Sequence, residues 1–81
     1  MLSTWETDAK RILKAELVLN DVSYKQLAIR LKELGVEDSH TAIANRISRG
    51  KFTFAFFLMC MRALGVKEVK IQVETGSSSA G

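Results

Sequence analysis

Residues 23–50, SYKQLAIRLKELGVEDSHTAIANRISRG, decide the fold of this chain. In the first half of this stretch, apolar side chains recur every three or four residues, which is typical of a helix with one buried face. Ser23 and Gln26 have the spacing of a capping box, and Gly35 stands where a helix commonly ends. The first half therefore predicts a helix that begins after Ser23 and ends at Gly35.

The second half of the stretch predicts a helix of a different kind. Asp38 or Ser39 is the expected N-cap, Ile43 and Ile47 lie one turn apart, and Gly50 is the expected end. The other positions are mostly polar. We therefore expect two helices joined by a turn, the second with a narrow apolar stripe and a broad polar face.

Further helices are predicted on both sides of this pair. Ser3 and Glu6 form another capping-box pair, and the helix that they begin should end near the turn-type residue Asn20. A nearly all-apolar helix should follow the N-cap Thr53 and end at Gly65, and such a helix is buried on more than one side.

The pattern changes beyond this last helix, where apolar residues alternate with polar ones and so favour a short strand. The alternating apolar residues are Val66, Val69, Ile71 and Val73. A chain of 81 residues is long enough for one core, so we expect one domain over residues 1–74 and a flexible tail over residues 75–81. The predicted fold class is all-α, with four to five helices and a short C-terminal β-strand.

Charge and cysteine content narrow the function classes. The net charge is +3, and residues 23–51 alone carry six basic and three acidic side chains. This excess suits an acidic partner, although solvated helix faces also account for it. A single cysteine forms no disulfide within the chain, which favours a reducing cytoplasm. The longest apolar run is too short to cross a membrane, and no secretory signal pattern is found, so we expect no membrane association.

From Leu13 to Gly65 the chain resembles the Cro/repressor class of helix-turn-helix domains. The stretches that carry the resemblance are SYKQLA at 23–28, RG at 49–50 and ALG at 63–65. The resemblance implies a phage-repressor-like fold and a bacterial or phage transcription regulator that binds double-stranded DNA through its third helix. The stretch ISRGKF, followed by FFL at 56–58, is also similar to an uncharacterised family of small bacterial single-domain proteins, which implies no activity.

Three features depart from the repressor pattern. Gly35 lies seven residues after Ala28, where that class usually has four, so the second helix is longer or the turn is wider. Tyr24 stands where a phosphate-contacting glutamine is usual, and a tyrosine hydroxyl can make the same contact. Ser48 replaces the usual glutamate before Arg-Gly, which removes an ion pair within the domain.

The third helix supplies the candidate DNA-reading residues. With the two isoleucines inward, a helical wheel places the candidates on the outer side or at its edge. Asn pairs well with adenine and Arg with guanine, while Thr and Ala suit a thymine methyl group. The predicted base-reading residues are Thr41, Ala42, Asn45, Arg46, Ser48 and Arg49, and the predicted phosphate contacts are Tyr24, Lys25, Arg30 and Lys51. The alternative for each is an ordinary solvated side chain.

Catalytic chemistry has little support in the sequence. His40 is the only histidine, so no Cys/His metal quartet can form, and it stands at a helix start where polar residues are routine. Cys60 lies in the most apolar helix, where burial makes a thiol inert. Neither a Gly-rich phosphate loop nor a nucleophile motif is found. We therefore predict no enzyme activity, no metal, no cofactor and no small-molecule ligand.

A homodimer is expected, because the fourth helix has more apolar faces than a small chain can cover and a lone strand leaves backbone groups unpaired. The alternative is that the strand packs on its own domain and that the fourth helix is the core of a monomer. The predicted function is a sequence-specific DNA-binding regulator, and the competing hypothesis is an adaptor-like or antitoxin-like module that binds a protein. The predicted interface residues are Phe54, Phe57, Met61, Val69, Ile71 and Val73.

Overall fold

The computed structural model describes residues 4–72, which form four α-helices and no strand. Helix α1 spans Thr4–Leu19, α2 spans Tyr24–Glu33, α3 spans His40–Arg49 and α4 spans Phe54–Leu64. The all-helical class is therefore confirmed. Within the described part of the chain, no helix is both long enough and apolar enough to cross a bilayer.

Side-chain caps fix where three of the helices begin. The Ser23 hydroxyl accepts a hydrogen bond from the Gln26 backbone N–H at 3.1 Å, and the Gln26 side chain accepts from the Ser23 N–H at 2.9 Å. Of the two candidates for α3, Ser39 is the N-cap. Thr53 caps α4 by accepting from the Phe56 N–H at 3.0 Å. These caps satisfy backbone donors that no helix can pair internally. The predicted cap Ser3 lies outside the described residues.

A residue with positive φ lies just after the end of each helix. Gly50 and Gly65 adopt φ of 67° and 75° at the ends of α3 and α4, and Gly35 follows α2 with φ of 97°. Among residues 4–72, the non-glycine residue with positive φ is Asp21, just after α1, at 54°. The chain therefore turns at the places where the sequence has glycine or a turn-type pair.

Gly50 also meets α1 directly. A methyl group built on it would lie 2.8 Å from the Glu6 carbonyl carbon and would collide with the carbonyl oxygen. The turn between α3 and α4 therefore rests on the first-turn backbone of α1, where only glycine fits.

The core forms where α2 packs against α3 and α4, and where α1 packs against the same two helices. Its fully buried side chains come from all four helices, in accordance with the apolar periodicity of the sequence. They are Leu13, Leu27, Leu31, Ile43, Ile47 and Cys60.

The predicted C-terminal strand is not found in residues 69–72, and its last residue, Val73, lies outside the described part together with the tail 75–81. Instead, the segment of residues 66–72 returns along its own domain. Val66 and Val69 pack against the core, and the Arg11 guanidinium donates to the Gln72 carbonyl at 2.6 Å. Residues 66–72 thus contact the rest of the same chain instead of forming the strand that their alternating pattern predicts.

Candidate nucleic-acid interface

Helix α3 is held by one narrow side. Ile43 and Ile47 are fully buried against the neighbouring helices, and Ser39 and Gly50 fix its two ends. Because a helix rotates about 100° per residue, the positions opposite these isoleucines must face away from the core. The local sequence therefore produces a helix with a free outer side.

The predicted base-reading residues are gathered on that outer side. Five of the six are exposed. They combine a guanidinium, an amide, two hydroxyls and a methyl group, which are the groups that contact base edges in a major groove. The exposed residues are Thr41, Ala42, Asn45, Ser48 and Arg49. We call this set the α3 outer face.

Arg46, the sixth candidate, is directed elsewhere. Its guanidinium forms an ion pair with Asp38 at 2.7 Å and lies over the Phe56 ring, 4.7 Å from the centroid. Both contacts hold the side chain at the edge of α3, between the preceding turn and α4. Arg46 therefore already has two partners within the domain, and its contacts join α3 to the preceding turn and to α4.

A cavity of about 330 Å³ opens where α3 ends and α4 begins. Three of its side chains are cationic and two are aromatic, so its surface suits an anion. One of the cations, Lys51, also lies 3.7 Å from the Glu6 carboxylate. The lining residues are Arg46, Arg49, Lys51, Phe52, Thr53 and Phe56. The sequence did not reveal this cavity, because its walls come from a helix end, a turn and a helix start.

The predicted phosphate contacts fall in different environments. Lys25 is exposed on the first turn of α2. Tyr24 is half-buried against the core, and this burial raises the pKa of its hydroxyl, which stays a neutral donor. Arg30 is exposed but donates to the Ala63 carbonyl at 3.2 Å, so it caps the last turn of α4. Lys25 and Lys51 are both exposed, and Lys51 keeps most of its side chain in solvent beside Glu6.

The two residues with catalytic potential lie apart. His40 is exposed at the start of α3, and Cys60 is fully buried in α4. Burial raises the pKa of the Cys60 thiol to about 12, although the charge of Arg46 opposes this shift. Over residues 4–72, no three His, Cys, Asp or Glu side chains come together as metal ligands.

The predicted dimer residues divide into two groups. Phe57 and Met61 are buried in the core of their own chain, and Val69 packs against the same core, so these three have little surface to offer a partner. Phe54 and Ile71 are exposed. Val73 lies outside the described residues.

Over residues 4–72, these observations define a small four-helix domain in which α3 has a polar outer face. It belongs to the DUF6471 family, a domain of unknown function, which matches residues 5–69. No curated protein and no solved structure matches the chain. The matched region contains the α3 outer face, and the family description assigns no activity to it.

Proposed function

We propose that this protein is a sequence-specific duplex-DNA-binding regulator with a helix-turn-helix arrangement of α2 and α3, acting as a homodimer in the cytoplasm. The observation that carries the proposal is the α3 outer face. A rigid helix is fixed at both ends, and its free side carries the side chains that read base edges. The resemblance of residues 13–65 to the Cro/repressor class supports the same assignment.

In this proposal, α3 enters the major groove with its outer face toward the bases. Asn45 and Arg49 lie four residues apart, so they share one side of the helix and reach neighbouring base pairs. Thr41 and Ser48 extend the same face, with one hydroxyl each. Because these side chains are exposed, binding breaks no contact that the core needs.

Phosphate contacts fix the position of α3 on the duplex. Lys25 stands at the start of α2, and Lys51 lines the cavity at the end of α3. Lysine and arginine beside a reading helix set register without reading sequence. In this proposal Arg46 supports α3 through Asp38 and Phe56, and contributes its charge to the field at the groove.

The test is duplex selection followed by titration. A random-sequence duplex pool is selected on the wild-type protein, and the recovered duplex is titrated against wild type, Asn45→Ala and Arg49→Ala. Each substitution should weaken binding by about 1–3 kcal/mol if its side chain makes a good base contact. Arg62→Ala is the matched control, because Arg62 is an exposed arginine in the last turn of α4 and lies against Leu34 and Leu58. It should bind like wild type.

Salt dependence separates DNA binding from the competing hypothesis of a protein-binding module. Wild-type affinity for nonspecific duplex should fall steeply between low and moderate salt, because phosphate contacts release counterions. Failure to bind any duplex at low salt, with the fold intact by circular dichroism, would leave the protein-binding module as the better hypothesis.

A further inference from the structure

An apolar groove of about 240 Å³ lies between α1 and the start of α4, beside the turn that follows α3. Helix α1 contributes Ala9 and Ile12, α4 contributes Phe54 and Phe57, and the C-terminal segment contributes Ile71. Almost all of its surface is hydrocarbon. The groove is separate from the α3 outer face, and none of the proposed DNA contacts lines it.

Large apolar side chains are exposed in this groove and one helical turn before it on α1. Trp5 is 68% exposed, Phe54 67% and Ile71 51%. Trp5 precedes Ala9 by four residues and Ile12 by seven, so it continues the stripe of α1 that lines the groove. The surface therefore carries both a recess and protruding rings, and an exposed apolar surface of this kind marks an interaction site.

We propose that a second copy of this chain occupies the groove, in a two-fold contact where Trp5 and Phe54 of each copy pack into the groove of the other. A two-fold interface uses one surface twice, so that surface must contain a projection and a recess that fit each other. The groove with its two adjacent aromatic side chains meets this condition. The inference rests on the dimer included in the proposed function and names the surface that forms it.

The exposed area suits a weak dimer. Aromatic side chains bury about 150–250 Å² each, so two rings that are two-thirds exposed still offer about 200–330 Å² per copy. Both copies together then bury about 400–700 Å² of aromatic surface, before Ile71 and the rim are added. Weak or transient complexes bury less than about 1,200 Å² in total. We therefore expect micromolar dissociation.

Polar pairs involve the chain neighbours of residues that line the groove. The Lys51 ammonium, next to Phe52, lies 3.7 Å from the Glu6 carboxylate. The Arg11 guanidinium, next to Ile12, donates to the carbonyl of Gln72, which follows Ile71. An apolar centre with a polar rim is the common arrangement at such interfaces. Of the interface residues that the sequence predicts, Phe54, Phe57 and Ile71 line this groove, while Met61 does not. Trp5, Ala9 and Ile12 are added to them.

Trp5 is the only tryptophan of the chain, so its fluorescence reports on this surface alone. The wild-type protein is followed by sedimentation velocity and by Trp5 emission from about 1 to 500 μM, a range centred on the expected dissociation constant. Emission should shift to shorter wavelength as the dimer forms, because the indole leaves water. Both measurements should give the same dissociation constant.

Phe54→Asp tests the contact and Ile29→Asp is its matched control. Asp at the first position of α4 favours the helix, and Phe54 is mostly exposed, so the variant should fold although it loses the ring contact with Phe57. Circular dichroism checks the fold of both variants. A carboxylate in the centre of the interface should weaken dimerisation at least about tenfold. Ile29 is 63% exposed on α2 and does not line the groove, so its substitution should change the constant less than about twofold.

Three results would overturn the inference. The first is that the wild-type protein stays a monomer over the whole concentration range. The second is that it forms a dimer without a shift in Trp5 emission. The third is that Phe54→Asp weakens dimerisation no more than Ile29→Asp does. Duplex titration is carried out separately on the same proteins. A monomer that binds DNA would overturn this inference and leave DNA binding in place. A dimer that shifts the Trp5 emission but binds no DNA would support this inference and overturn DNA binding.

Discussion

Helices α3 and α4 begin and end in the same way but bury very different shares of their side chains. Each has a hydroxyl N-cap whose oxygen accepts from the third helical N–H, and each ends at a left-handed glycine. In ten residues α3 buries Ile43 and Ile47, whereas α4 buries five side chains in eleven. Caps therefore decide where a helix lies along the chain, and composition decides how many of its sides are free.

This difference separates two tasks within one small domain. Helix α4 supplies the core with Phe56, Phe57, Cys60, Met61 and Leu64, so few of its positions can change without loss of stability. Helix α3 is held by two buried isoleucines, by the contacts of Arg46 and by its two ends, which leaves its exposed positions open to a binding role. Matched substitutions in the two helices test this division.

The largest single loss of stability is expected at Gly50, one of the two terminal glycines. Gly50→Ala should lower the free energy of unfolding by about 3–5 kcal/mol, because the left-handed backbone costs about 1–2 and displacement of the Glu6 backbone adds the rest. Gly65→Ala has the same backbone cost but meets no atom within 4 Å, so about 1–2 kcal/mol is expected. Urea unfolding followed by circular dichroism measures both. Equal losses would mean that the contact between the turn and α1 contributes nothing.

The next largest loss of stability is expected at an inward residue of α3, and little loss is expected at an outward residue of α4. Ile47→Ala should cost about 2–5 kcal/mol, since Ile47 is fully buried and truncation leaves a cavity. Leu58→Ala should cost less than about 1 kcal/mol, because Leu58 is 52% exposed. Thermal unfolding of the two variants gives the comparison. If Leu58→Ala were the more damaging, α4 would be oriented differently from the structure.

The smallest effects are expected at the N-caps. Ser39→Ala and Thr53→Ala each remove one oxygen that accepts a backbone N–H, so each should cost about 1 kcal/mol. Conservative Ser39→Thr and Thr53→Ser should restore most of that stability in a denaturant titration. A cap that costs nothing when removed would show that tertiary contacts alone position that helix.

Local sequence rules predicted much of this fold, because they act over a few residues. The capping box at Ser23, the cap at Thr53 and the glycine ends depend on neighbours within one turn, and the structure confirms them. The exposure of Asn45 and Arg49 follows from the helical spacing of Ile43 and Ile47 in the same way.

Contacts between distant residues could not be predicted by those rules. The pairing of Arg46 with Asp38 depends on how the turn before α3 folds back, and Gly50 meets Glu6 because two helices cross there. The predicted C-terminal strand is not found in residues 69–72. Alternation over a few residues is a weak signal, and contacts with the rest of the domain, such as that between Arg11 and Gln72, decide the conformation instead.

The modification rate of Cys60 can show how often and how fast the core of this domain opens. Its thiol is fully buried and its pKa is raised to about 12, so an alkylating reagent reacts with the folded chain only after the core has opened. When the reagent is dilute, the modification rate measures the population of opened molecules. When it is concentrated, the rate reaches a plateau at the opening rate constant itself. One native side chain thus reports both quantities without an added label.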